Sequence, residues 1–75
     1  MSDETVSELD RFDAPWNKKV TLQDVRHESG LRMLRIRIKE GTRFTVMDID
    51  EDTAARWGRA MSGWAAAGEQ GGGQG

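Results

Sequence analysis

The segment that decides the fold is Gly30–Gly41, which reads GLRMLRIRIKEG. Within it, apolar residues alternate with cations, namely Leu34, Arg35, Ile36, Arg37, Ile38 and Lys39. A strand sends successive side chains to opposite faces, whereas a helix would scatter these cations around its circumference. The segment therefore predicts a β-strand with the apolar residues on one side, here named the inner face, and the cations on the other, the outer face.

A second strand is predicted just upstream, over residues 19–27, because this stretch is rich in β-branched residues. The residues Glu28, Ser29 and Gly30 separate the two strands. Glycine reaches the left-handed conformation that the third residue of such a hairpin loop adopts. The resulting register pairs Leu22 with Ile36 and Val20 with Ile38 on the inner face, and Val25 with Met33 on the outer face.

A third strand is predicted downstream, over residues 42–49, after a reversal at Glu40-Gly41. Pairing Phe44 with Ile38 and Val46 with Ile36 would fill the inner face. That register leaves Ile49 out of phase, so we expect a bulge or the strand end near Asp48.

A helix is predicted after the third strand, with Asp50 as its cap and acidic residues opposing the helix dipole. Its apolar residues recur at three- and four-residue spacing, which predicts a stripe aimed at the sheet: Ala54, Trp57, Met61 and Trp64. Gly68 is expected to end the helix. Small residues at positions 54, 58 and 62 indicate either tight packing on the sheet or a contact with a second chain.

The predicted fold class is α+β, a three-stranded antiparallel meander packed against one C-terminal helix (β-β-β-α). This domain spans residues 12–68, and Phe12 and Trp16 are expected to pack on it. Residues 1–11 are predicted to be a flexible acidic arm. Residues 69–75 are predicted to be a disordered Gly/Gln tail.

Charge is strongly segregated in this chain, whose net charge is −2. Residues 17–47 carry eight Lys and Arg against three Asp and Glu, whereas residues 1–16 carry one Arg against five acids. The middle third is therefore basic inside an acidic protein. Either the acidic arm folds back over the cationic outer face, or an external partner supplies the anions.

Composition and motifs argue against several classes of protein. With no cysteine, the chain has neither a disulfide nor a thiolate metal site. It has no signal-peptide pattern and no apolar run of about 18 residues, so we expect a cytoplasmic protein without a membrane span. The acidic residues 48–52 do not fit a calcium loop, since Thr53 stands where the glycine is needed.

Catalysis is not expected. His27 is the only histidine, and the chain has no nucleophile motif, phosphate loop or dinucleotide-binding turn. A domain this small also offers little concave volume to desolvate paired carboxylates. We predict a protein that is not an enzyme and takes no metal, cofactor or small-molecule substrate.

Protein binding is the favoured function, through the outer face and a sheet edge, with a protein partner or a second copy. An apolar patch beside cations is typical of a protein interface. The predicted binding surface is Arg35, Arg37, Lys39, Arg43, Lys19, Val25, Leu31 and Met33. The alternative is nucleic-acid binding by the same arginines, since the β-β-β-α architecture resembles that of some integrase and plant transcription-factor domains that read DNA with a sheet.

Overall fold

The computed structural model describes residues 4–70 and consists of four antiparallel strands followed by one helix. The elements are β1 (Glu4–Ala14), β2 (Lys18–His27), β3 (Arg32–Glu40), β4 (Arg43–Ile49) and α1 (Glu51–Gln70). The strands lie in the order β1-β2-β3-β4, so each one pairs with its neighbour in the chain. The α+β class is confirmed, but the prediction of three strands is wrong because β1 adds a fourth.

Strand β1 replaces most of the predicted flexible arm, of which residues 1–3 lie outside the described residues. The three-residue spacing of Val6, Leu9 and Phe12 hid the strand, because a strand should show a period of two. A bulge between Glu8 and Asp10 explains this spacing. The extra residue shifts the side chains, so Val6 lies opposite Val25 on the outer face while Phe12 lies opposite Val20 on the inner face.

The turn between β1 and β2 corrects a second expectation. Trp16, which was expected to pack on the domain, is exposed in this turn. It adopts a φ of 61°, as does Asn17. Asparagine tolerates this left-handed region, whereas a bulky residue there is unusual. The Trp16 side chain therefore does not contribute to the core.

The hairpin of β2 and β3 confirms the predicted register. Leu22 lies opposite Ile36, Val20 opposite Ile38, and Val25 opposite Met33. Gly30 has a φ of 95°, and the His27 amide donates a hydrogen bond of 2.8 Å to the Leu31 carbonyl.

The register of β3 and β4 differs from the prediction by one residue. A two-residue turn, Gly41-Thr42, joins Glu40 to its partner Arg43, and the φ of 58° at Gly41 fits a type II′ turn. A slip of one residue moves every side chain to the other face. The inner-face pairs are therefore Ile38 with Thr45, Ile36 with Met47 and Leu34 with Ile49, whereas Phe44 and Val46 lie on the outer face. No bulge interrupts β4, because Ile49 is in phase.

The core is thin. Val25 is 0% exposed, Ile49 7% and Ile36 8%, and these are the buried apolar residues of the described chain. Ile36 and Ile49 lie on the inner face, but Val25 lies on the outer face between Val6 and Met33. Each face of the sheet therefore buries its own small cluster.

Helix α1 begins as predicted. The Thr53 amide donates a hydrogen bond of 2.9 Å to Asp50 Oδ1, and hydrogen bonds from Thr53 hold the pKa of Asp50 below its ordinary value. Arg32 Nε donates a hydrogen bond of 2.7 Å to Glu51 Oε2, which ties the first turn of the helix to β3. The helix continues past Gly68 to Gln70, so the predicted end is two residues early. Residues 71–75 of the predicted tail lie outside the described residues.

Beyond its first turn, α1 does not pack on the sheet, so the expected core stripe is wrong. Trp57, Met61 and Trp64 are 42%, 58% and 81% exposed. The radius of gyration is 15.3 Å, whereas a compact domain of this length has about 11 Å. Among the described residues, no helix combines the length and the apolar character needed to cross a membrane.

Replacing Val25 with alanine tests the burial on the outer face. We expect Val25→Ala to lower the free energy of unfolding by about 2 kcal/mol, because it removes buried methyl groups and leaves a cavity. Val46→Ala, at a half-exposed position on the same face, is the matched control and should change it by less than about 0.5 kcal/mol. Urea unfolding followed by circular dichroism measures both. Equal losses of unfolding free energy in the two variants would contradict the assignment of Val25 to a buried cluster on the outer face.

Candidate functional site

The candidate site is a shallow groove on the outer face, which runs from β1 across the sheet to β4. Its volume is about 240 Å³ and its lining includes Arg11, Lys19, Gln23, Arg37, Lys39 and Phe44. Alternating residues of the four strands provide this lining, since side chains of the same parity share a face. Small-molecule pockets usually have about 300–1,000 Å³ and enclose the ligand. An open groove of this kind suits an extended chain better.

Arg35, at the centre of the predicted site, forms ion pairs with carboxylates of this chain. Its Nε donates to Asp48 Oδ1 at 2.9 Å and its Nη2 to Asp48 Oδ2 at 3.0 Å. Its Nη1 lies 3.6 Å from Glu4 Oε1. The hydrogen bonds to Asp48 raise the pKa of Arg35, and those same bonds lower the pKa of Asp48. Arg35 therefore connects β3 to both edge strands and is mainly a structural residue.

Arg37 and Lys39 are in a different situation, because their neighbour is an aromatic ring. Arg37 Cζ lies 6.0 Å from the centroid of the Phe44 ring, and Lys39 Nζ lies 5.7 Å from it. Both distances are within the range of a cation–π contact. Within residues 4–68, neither cation forms an ion pair. Phe44 itself is 58% exposed, so the ring and both charges are available to a partner.

The other predicted site residues differ in the face on which they lie, in their ion pairs and in their burial. Lys19 lies on the outer face but pairs with Asp13 at 3.1 Å. Arg43 was predicted on the outer face but lies opposite Glu40 on the inner face, as the corrected register requires. Val25 is fully buried and cannot contact a partner.

Leu31 and Met33 lie at the hairpin end of the sheet. Leu31 is exposed just before β3, and Met33 is half-buried. The predicted apolar patch at this end is therefore smaller than expected, because its third member, Val25, is covered.

Phe44 is the residue of the groove that the sequence-based prediction placed on the wrong face. The signal that would have located it is Ile49, since a buried residue at the end of β4 determines the parity of the whole strand. Counting back from Ile49 puts Met47 and Thr45 on the inner face and Phe44 on the outer face.

Titratable groups near the groove do not form a metal site. In the part of the chain that the structure describes, no group of three or more His, Cys, Asp or Glu side chains is arranged to hold a metal ion. His27 Nδ1 lies 3.9 Å from Glu4 Oε2, which is too long for a hydrogen bond. What the groove offers chemically is a pair of cations beside an aromatic surface.

Comparison with known proteins places the chain in a family but gives no activity. Residues 3–67 match the family described as "Family of unknown function (DUF6967)", and the chain belongs to that family. Neither a curated protein nor a solved structure matches this chain.

The pairing of Arg35 with Asp48 predicts a pH-dependent contribution to stability. The pKa of Asp48 lies below its ordinary value of 3.8 in the folded chain. The pair therefore stabilises the fold fully above that value, and its contribution is lost as the pH falls through the lower, folded-state pKa. We expect Arg35→Gln to lower the free energy of unfolding by about 1 kcal/mol at pH 7, and the difference from the unmodified chain to vanish in acid.

Carboxyl NMR titration checks the same pair directly. In Arg35→Gln the pKa of Asp48 should rise towards its ordinary value, whereas in Arg37→Gln, the control, it should stay low. If the pKa of Asp48 is unchanged in both variants, the assignment of the Arg35–Asp48 pair is refuted.

Proposed function

We propose that this protein is a non-catalytic interaction module that binds an acidic segment of a partner protein at Phe44, Arg37 and Lys39 on the outer face. The observation that carries the proposal is the contrast between these cations and their neighbours. Arg35, Lys19 and Arg11 each have a carboxylate within this chain, at distances of 2.9, 3.1 and 2.8 Å. Among the side chains of residues 4–68, the contact found for Arg37 and Lys39 is the ring of Phe44.

An aromatic ring flanked by two unneutralised cations is a suitable anchor for an acidic and partly apolar peptide. The ring supplies apolar contact area at low entropic cost, because a phenylalanine has few rotatable bonds. The cations orient the partner and accelerate association. Val46, half-exposed on the same face of β4, extends the apolar surface.

The edge of the sheet supports an extended partner. Strand β1 is an edge protected by its bulge and by many charges, whereas β4 is regular and carries few. Phe44 lies on β4, so a segment pairing with this edge would pass directly beside the ring. In a three-stranded meander β2 would also be an edge, but here β1 pairs with it, so that edge is not available.

Nucleic-acid binding remains the alternative, and the charges of the outer face weigh against it. Carboxylates of Glu4, Glu8, Asp13 and Asp48 lie on the same face as the cations. A phosphate backbone crossing this face would meet them, whereas a protein segment can place a cation or a hydrogen-bond donor there. The fourth strand also removes the architectural resemblance to three-stranded DNA readers. We keep the cytoplasmic location as part of the proposal, since the chain has no cysteine.

Amide NMR titration of the labelled protein tests the proposal. The probes are a synthetic twelve-residue peptide that alternates Glu and Leu, and a single-stranded DNA of twelve mixed nucleotides. We expect the peptide to shift the amides of β4 and of Arg37 and Lys39, and Phe44→Ala to weaken its binding about tenfold.

The double variant Arg37→Glu/Lys39→Glu should abolish peptide binding. Arg56→Glu/Arg59→Glu, on the exposed side of α1, changes the net charge equally and is the control that should bind normally. Equal loss of peptide binding in the two double variants would mean that the peptide responds to the net charge of the protein and not to this site. Shifts with DNA alone would replace the proposal by the nucleic-acid alternative.

A further inference from the structure

Two apolar surfaces of this chain remain open. The first is the inner face of the sheet, where Phe12 and Met47 are 45% and 41% exposed, and where Leu9, which is 61% exposed, lines a shallow pocket together with Leu34. The second is the stripe of α1 formed by Trp57, Met61 and Trp64. A monomer rarely exposes apolar surface of this extent without a partner for it.

The stripe of α1 is shaped to lie on a flat surface. Its residues follow one another at four- and three-residue spacing, which keeps them on one side of the helix. Ala60 and Ala65 lie beside them in the same apolar patch. Small side chains beside large ones let the helix approach a facing layer closely.

The inner face is shaped to receive such a helix. Its two central strands are apolar in the middle, with Leu22, Ile36 and Ile38 between the exposed residues named above, and Asp10 lies opposite Leu22 on the edge strand β1. Its charged pairs lie towards the strand ends, where Lys18 contacts Glu40 at 3.0 Å and Arg26 contacts Asp24 at 2.8 Å. An apolar centre with a charged rim is the usual anatomy of a protein interface.

The helix does not cover the inner face of its own sheet, and the connection explains why. Only Asp50 separates β4 from α1, and it is engaged as the helix cap. The hydrogen bond from Arg32 to Glu51 holds the first turn against β3. Turning the helix back would require breaking both, because the connection has no further residues that could bend.

We propose that α1 of a second copy of this chain lies on the inner face, while α1 of the first copy lies on the inner face of the second. The exchange is reciprocal, so the two contacts are related by a two-fold axis and each copy contributes both surfaces. Each copy thereby completes the two-layer arrangement that its own helix leaves open. This interface is independent of the groove around Phe44, which lies on the opposite face.

The available area suits a stable dimer. If a large apolar side chain buries about 150–250 Å², the six residues of the two surfaces expose roughly 650 Å² per chain. A symmetric pair would then remove on the order of 1,300 Å² from water, within the range of about 1,200–2,000 Å² for stable specific interfaces. Pairing of the helices alone would use only half of this surface and leave both inner faces open.

Sedimentation velocity of the full chain between about 5 and 500 μM tests the proposal. We expect the unmodified chain to form dimers, and Met61→Glu to weaken dimerisation at least about a hundredfold, because the interface would bury an unpaired charge. Arg59→Glu, on the same helix but outside the stripe, should leave the dimer intact. Circular dichroism of each variant reports whether the fold is retained.

Two neighbouring residues of β4 identify the surface on which the helix lies. Met47→Glu places a charge on the inner face and should dissociate the dimer, whereas Val46→Glu places it on the outer face and should not. Leu9→Glu provides a second inner-face variant on another strand, in case Met47→Glu fails to fold.

The other outcomes would overturn the proposal. A chain that stays monomeric at 500 μM has no such interface. If Met61→Glu dissociates the dimer while Met47→Glu and Leu9→Glu do not, the helices pair with each other. If Val46→Glu alone dissociates it, copies associate through the outer face or the β4 edge.

Discussion

Backbone hydrogen bonding between neighbouring strands is the interaction on which this structure depends. Three buried side chains are too few to hold together 67 described residues by packing alone. The meander compensates, since each strand pairs with its chain neighbour through a short turn, and the sheet of the described residues has two edges. Register therefore determines which side chains share a face, and the turns determine the register.

The sequence predicts the parts of the fold in which side-chain pattern and turn chemistry agree. The β2–β3 hairpin is such a part, because the alternation around Ile36 and the position of Gly30 lead to the same register. Strand β1 was missed because its bulge gives Val6, Leu9 and Phe12 a spacing that a strand does not normally have. The error at β4 arose from weighing the large residue Phe44 above Ile49, although Ile49 is the one that becomes buried.

The candidate site was predicted in part, and its limits have a physical cause. Arg35 and Arg37 are equivalent in the local pattern, yet one is neutralised and the other is not. The difference comes from β4, which places Asp48 opposite Arg35 and Val46 opposite Arg37. The register of the neighbouring strand β4 decides which cation remains available, so the sequence of the central strand alone could not distinguish the two arginines. The same holds for α1, whose periodicity indicates an apolar stripe but not the layer that covers it.

The connection of consecutive strands by short turns also bears on how the chain folds. Relative contact order is low when strands pair in chain order, and low contact order is associated with fast folding. The β2–β3 hairpin, with its regular register, can form first, and β1 and β4 can then add on either side without threading a loop. Loss of structure would follow the reverse order, from the edges inward. The outer strands, and with them the groove and the attachment of the helix, would thus belong to the least protected part of the molecule in hydrogen exchange.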